Sequence, residues 1–223
     1  MTEVSSGSLW NKFLDSTQVF KPNKEVLENW HRGRERYAVW MIRINEPLIE
    51  RRIQIVNQTL SPYINIHPVT KPHITVFALG FPSTEILYND DFDMAIIKQQ
   101  VDLLRELQLK PISLKVGSAN SLLTGPVLEI HDLSNQLTKI RQVLDQTKNE
   151  IRFSSFVPHI TTGHYLEAKS PESFAKGFDE LRSFEPINLK LTELELISFS
   201  ARAYSDDIAI CPEDYETMAS ITL

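Results

Sequence analysis

Between Tyr37 and Ile44 a single charged residue, Arg43, interrupts an apolar, β-favouring run, the pattern of a strand covered on both faces. The period then changes. Pro47 stands at a first helical position behind Asn45 as a cap, and Ile49, Ile53, Val56 and Leu60 recur at helical spacing, which predicts a core-facing helix ending near Ser61 and Pro62. His73 to Gly80 is short and rich in β-branched and aromatic residues, a second strand, and from about Asp91 a second helix carries Ile97, Val101 and Leu104 on one side. Before Tyr37 the polarity is mixed. Leu9, Trp10, Phe13 and Leu14 suggest one short helix broken at Lys21 and Pro22, so residues 1–36 read as an appended N-terminal extension rather than a domain.

The second half repeats this grammar. Strands are expected at Ile112 to Val116 and Val127 to His131, joined by a polar loop from Gly117 to Ser121. A helix capped by Asp132 or Ser134 follows, carrying Leu133, Leu137, Ile140 and Leu144. Next come a strand from His159 to Tyr165, a helix opened by Ser170 and Pro171 with Phe174, Phe178 and Leu181 on one face, and an alternating strand from Ile187 to Leu191. The phase slips at Thr192 and Glu193 before Leu194, Leu196 and Phe199, which reads as a bulge. Residues 204–223 read as a C-terminal strand and loose tail, with no function attached. Two similar halves predict an α+β fold, two lobes packed into one domain over residues 37–203 with a crevice between them.

Composition narrows the function classes. A chain of 223 residues suits one bilobed domain or two small ones, and 42% hydrophobic with 23% charged residues rules out wholesale disorder. No stretch approaches the ~18 consecutive apolar residues of a spanning helix, and the opening residues lack a signal-peptide pattern, so a cytoplasmic or nuclear protein without a membrane partner is expected. The single cysteine, Cys211, allows neither an internal disulfide nor a cysteine metal cluster. A net charge of -6 argues against gripping long duplex nucleic acid, while a small nucleotide or an RNA end stays compatible. The basic stretch from His31 to Arg36 reads as a solvated face. Walker, Gly-x-Ser-x-Gly and dinucleotide glycine motifs are absent. A metal site would have to recruit His73, His159 and His164 with Asp90 or Asp91, without any recognised ligand spacing, so no metal and no cofactor is expected.

One string carries chemistry. Pro-His-Ile-Thr occurs at Pro72 to Thr75 and again at Pro158 to Thr161, 86 positions apart. A four-residue repeat arises by chance roughly 0.3 times in a chain this long, so the context matters more than the repeat. Each copy falls in a predicted strand after an amphipathic helix, and period-two alternation turns His73 and Thr75, or His159 and Thr161, to one face. Brought together across a crevice, two imidazoles and two hydroxyls suit in-line displacement at phosphorus. One neutral histidine takes a proton from the attacking oxygen and one charged histidine gives a proton to the leaving oxygen. The threonines donate to the non-bridging oxygens.

In these features the chain resembles the two-histidine (2H) phosphoesterases, which include the LigT-type RNA 2',3'-cyclic phosphodiesterases once described as 2'-5' RNA ligases. Their mark is a pair of His-x-Thr/Ser-x tetrads about eighty residues apart in a duplicated α+β fold; here the tetrads are His73 to Val76 and His159 to Thr162. The resemblance covers residues 37–200, including the segment from Thr124 to Ile130. It implies a duplicated bilobal fold with antiparallel-rich sheets, His73 and His159 as the acid-base pair, and Thr75 and Thr161 as phosphate binders. LigT-like members often carry an arginine five residues after the second histidine, where this chain has His164. The residues before 37 are also atypical of short bacterial members.

Around that core, Phe77 and Tyr165 extend the two faces and are candidates to stack on a base, and His164 is a candidate phosphate contact if Gly163 bulges. His67 and His131 read as structural or solvent-facing. The leading expectation is a monomeric, metal-independent phosphodiesterase that opens the 2',3'-cyclic phosphate of a nucleotide or RNA end, with a bell-shaped pH profile. Two other readings keep the same residues: cleavage of 2'-5' oligonucleotides or trimming of RNA 3' ends, and a nucleotide-binding module without turnover.

Overall fold

Six consecutive residues, Tyr37 to Ile42, are buried, and the run they form is the central strand of the larger sheet. In this computed structural model, which describes residues 6–150, 156–201, 204–205, 208–209 and 214–223, the order begins α1 (Ser6–Leu14), α2 (Lys24–His31), β1 (Arg36–Arg43), α3 (Pro47–Leu60), β2 (Ile66–Pro68) and β3 (His73–Pro82). It continues with β4 (Asp91–Phe92), α4 (Ala95–Glu106), β5 (Ile112–Leu122), β6 (Gly125–His131), α5 (Gln136–Leu144), β7 (His159–Thr161) and β8 (Gly163–Tyr165). Three short 3-10 turns between Pro171 and Ser183 lead to β9 (Ile187–Leu191), β10 (Glu193–Ser200), β11 (Tyr204–Ser205), β12 (Ile208–Ala209) and β13 (Glu216–Thr222). Cys211 lies outside the described residues.

Among the described residues one sheet runs β13-β10-β1-β3-β4, antiparallel except at β3 and β4, and the other runs β7-β6-β5-β9, antiparallel throughout. β2 and β8 form a separate ribbon. Both sheets turn a face into one core, where Trp40, Ile42 and Ile74 meet Val116, Leu128 and Ile160. The helices cross over. α3, from the first half, lies on the second half: its Arg52 donates to the carbonyls of Val116 and Gly117, and its Asn57 donates to the carbonyl of Thr162. α5, from the second half, packs on β3 of the first sheet. This is the bilobal α+β arrangement that the duplicated pattern predicts.

Several elements differ from expectation. β5 runs straight through the expected polar loop, because Asn120 and Ser121 are fully buried and partnered: Asn120 donates to Glu129 and the Ser121 hydroxyl meets Tyr165 Oη at 2.7 Å. The strand expected from His159 to Tyr165 breaks at Thr162, a fully buried residue whose hydroxyl donates to the Pro126 carbonyl. Close approach there requires glycine, since a Cβ at Gly125 would stand 2.0 Å from the Gly163 carbonyl oxygen and one at Gly163 would stand 2.4 Å from Ile66 Cγ2. The expected helix after Ser170 is a series of 3-10 turns, although Phe174, Phe178 and Leu181 are buried as its pattern requires. The slip at Thr192 is no bulge: the chain leaves one sheet at Leu191 and enters the other at Glu193. The expected loose tail ends in β13, paired with β10, with Ile221 and Leu223 buried.

Smaller differences concern helix starts. Glu46, not Asn45, precedes α3 and gives no side-chain cap, and a short strand at Asp91 delays α4 to Ala95. Asn135, not Asp132 or Ser134, precedes α5 and gives no side-chain cap, although Asp132 accepts from the Leu137 amide at 2.7 Å from further back, and Leu133 is exposed.

The segment before β1 is packed down. Phe13 of α1 lies among Phe174 and Phe178 at 5.5 and 5.8 Å between ring centres, Val19 is fully buried, and the Val19 and Phe20 amides donate to the carbonyls of Lys169 and Leu123. After α2, Arg34 departs from the expected solvated face, pairing at 2.5 Å with both Asp90 and Asp91 while its guanidinium covers Phe81. Arg34 and the Leu87 and Tyr88 amides outweigh the burial of Asp91 and hold its carboxyl below the usual range. No helix among the described residues is long and apolar enough to cross a membrane.

Candidate active site

The middle residue of each tetrad fixes the outer two. Ile74 and Ile160 are fully buried in the shared core, so alternation turns His73 and Thr75, and likewise His159 and Thr161, to the opposite faces, where all four are half-buried. The proline in each copy holds the residue before it extended. The carbonyl of that residue then accepts from the histidine ring: His73 Nδ1 lies 2.9 Å from the Lys71 oxygen and His159 Nδ1 lies 2.7 Å from the Val157 oxygen. A carbonyl only accepts, so Nδ1 carries the proton in both rings and Nε2 is the nitrogen left for chemistry.

β3 and β7 lie against each other, and the two imidazoles sense one another. Burial holds both below the ordinary value of 6.5. His73 is lowered further by Arg43, and His159 by His73. The flanking residues differ in charge. Arg43 stands directly opposite His73 across the β1–β3 pair, whereas Glu129 stands opposite His159 across β6–β7. Residues opposite one another share a face of the sheet. Tyr215, before β13, sets its ring edge toward His73 with centres 6.3 Å apart and takes the cations of Lys71 and Arg43 at 4.8 and 5.8 Å.

Thr75 and His159 open onto a cavity of about 360 Å³. Arg141 and Glu150 line it as a buried ion pair. That pair also holds β3 in place. The β1–β3 register slips twice, once between Thr75 and Phe77 and once between Ala78 and Gly80. At the first slip Arg141 donates to the Val76 carbonyl, and just before the second Glu150 accepts from the Ala78 amide at 2.8 Å.

The slips decide the fate of the aromatic candidates. Phe77 pairs with Trp40, a core residue, and is 1% exposed, so it packs inward instead of extending the His73 and Thr75 face. Tyr165 is fully buried because the break at Thr162 resets the alternation, and burial pushes its phenol far above the usual value despite the bond to Ser121. Neither ring offers a face to a base. His164 is half-buried in β8 opposite His67 of β2, and burial, then His67, then His73 lower it to about 4. His67, expected to be structural or solvent-facing, is half-buried in β2. Arg43, Glu129, Arg141, Glu150 and Tyr215 reach the site through strand pairing and distant contacts, which leave no local signature in the sequence. Among the described residues no group of three or more His, Cys, Asp or Glu is placed to hold a metal ion.

The sequence profile of the 2'-5' RNA ligase superfamily matches residues 45–203, both tetrads included. The chain belongs to this superfamily. Its two-histidine tetrads therefore sit in the fold expected of them. No curated protein sequence matches the chain. Among solved structures, Escherichia coli LigT complexed with 3'-AMP is similar over 86% of this chain and 99% of its own, at 16% identity and a TM-score of 0.53. A structure described as a phosphoesterase matches 84% of this chain and 98% of its own, at 18% identity and a TM-score of 0.56. Kluyveromyces marxianus Usb1 matches 75% and 95%, at 9% identity and 0.52. At these identities the likeness is one of fold, and membership of the superfamily makes phosphoester chemistry the activity class.

Proposed function

We propose that the protein is a phosphodiesterase that opens the 2',3'-cyclic phosphate of a nucleotide or RNA end by proton transfer between two histidines, without a metal ion. The observation that carries this reading is the matched pair of imidazoles, each with Nδ1 tied to the carbonyl two residues back, so that Nε2 is the ring nitrogen available to a substrate. One Nε2 takes the proton of the attacking water as its oxygen bonds to phosphorus. The other donates a proton to the ribose oxygen as the ring phosphorus–oxygen bond breaks, leaving a phosphomonoester and a free hydroxyl. Thr75 and Thr161 donate to the non-bridging oxygens, and His164 is an auxiliary contact on the His73 side. The anionic substrate raises both imidazoles from their lowered values, so the charged partner exists when the phosphate is bound.

The test is hydrolysis of 2',3'-cyclic mononucleotides and cyclic-phosphate-ended RNA in excess EDTA, with wild type, His73→Ala and His159→Ala. Turnover should survive chelation and fall by about 10²-fold or more in each variant. Activity abolished by EDTA and restored by a metal would overturn the mechanism. Shortening of the RNA would replace ring opening by trimming.

A further inference from the structure

The fourth residue of each tetrad is the place where its strand leaves the ladder. Val76 is the extra residue of the slip between Thr75 and Phe77, and Thr162 stands between β7 and β8. Both are fully buried, so a carbonyl withdrawn from the sheet there needs a donor within the protein. At both places a helix side chain from the opposite half supplies one. Asn57 of α3, in the first half, donates to the Thr162 carbonyl at 2.9 Å, and Arg141 of α5, in the second half, donates to the Val76 carbonyl at 2.5 Å. The Val69 amide adds a further donor to Thr162 at 3.0 Å. The ties are crossed: α3 precedes the first tetrad and holds the second, while α5 precedes the second and holds the first.

We propose that Asn57 and Arg141 are reciprocal positioning residues, each fixing a strand one residue past its threonine so that the two histidine–threonine pairs face one phosphate at a single working separation. This rests on the phosphodiesterase reading for the reaction that the separation serves. In-line displacement is sensitive to such geometry, since a misplacement of ~1 Å can cost about 10²-fold in rate. Asn57 suits the task because an amide presents a donor and an acceptor together. Its Nδ2 faces the Thr162 carbonyl, which only accepts, and its Oδ1 lies 3.5 Å from Thr162 Oγ1 and 3.1 Å from where a Cβ at Gly163 would stand. One side chain thus holds the break between Thr161 and His164, two residues that strict alternation would turn to opposite faces. Arg141 does the matching work with a planar fork, one nitrogen on the Val76 oxygen and the other on Glu150.

The test compares wild type with Asn57→Ala, Asn57→Asp and Arg141→Lys, each checked for folding by its urea midpoint. Aspartate keeps the shape of Asn57 but sets an oxygen against the Thr162 oxygen, and lysine keeps a charge for Glu150 without the second arm that reaches Val76. Turnover of a 2',3'-cyclic mononucleotide should fall about tenfold or more in all three, with the larger part of the loss in kcat. The histidine ring signals, followed by NMR at about pH 7.5 where both catalytic imidazoles are neutral, should show the crossing: the Asn57 variants displace His159 and leave His73 in place, and Arg141→Lys does the reverse. Folded Asn57 variants with wild-type kcat, an Asn57→Asp that matches wild type, or both rings moving alike in every variant would overturn it. If Arg141→Lys does not fold, the two Asn57 variants decide. A crossed ring pattern in a protein that turns over no cyclic phosphate leaves this inference standing and removes the hydrolytic reading.

Discussion

At the scale of single residues, the two tetrads are alike in their own bonds and unlike in their neighbours. Arg43 opposite His73 disfavours a proton there, whereas the residue opposite His159 is the carboxylate Glu129, so within the proposed mechanism we assign His73 as the base and His159 as the acid. A substrate whose leaving ribose oxygen is replaced by sulfur needs no proton from an acid. His159→Ala should therefore recover most of its loss on the sulfur substrate, while His73→Ala stays down by about 10²-fold on both. Equal recovery by the two variants would sink the assignment. The tetrads themselves were legible because period two and a buried isoleucine suffice to aim His73, Thr75, His159 and Thr161. Phe77 was not, because one extra residue at Val76 reverses the face and nothing local announces it.

At the scale of elements, the Arg141–Glu150 pair bolts α5 and the segment after it to β3 immediately beyond Thr75. Glu150→Gln leaves a buried guanidinium without its counter-charge and should cost about 3 kcal/mol or more in urea unfolding, larger than a surface substitution by any measure. A loss under about 0.5 kcal/mol would show that the pair does not anchor the strand. The main helices and strands were readable because each needs only a regular apolar period. The continuation of β5 past Gly117 was hidden because its buried polar residues find partners in Glu129 and Tyr165, far along the chain or on a neighbouring strand. The passage from β9 to β10 looked like a bulge for a related reason. A change of phase is visible in sequence, but the sheet to which each side belongs is not.

At the scale of the molecule, His73, His159 and His164 are all held below 6.5 by burial, with His164 at about 4. An unfolded chain therefore binds more protons than the folded one between about pH 4 and 6.5, and stability falls as pH is lowered through that window. Well above 6.5 the three rings are neutral in both states and contribute no slope. His164→Asn should flatten the fall between about pH 6.5 and 4.5, read from urea midpoints, and an unchanged slope would show that His164 is not a source of it. Asp91, held low by Arg34, adds a loss in the same direction only at more acidic pH. Because α3 and α5 each lie on the opposite half, neither sheet keeps its cover if the other unfolds.

The sheet that carries His73 also has a calendar. β1, buried along nearly its whole length, needs β10 as its partner, and β10 is made about 150 residues later. At ~5–20 residues per second a ribosome leaves one edge of that apolar strand open for about 8 to 30 seconds. During synthesis the first tetrad is thus built into an unfinished sheet, and crowded nascent chains can complete it with a neighbour's strand before their own arrives.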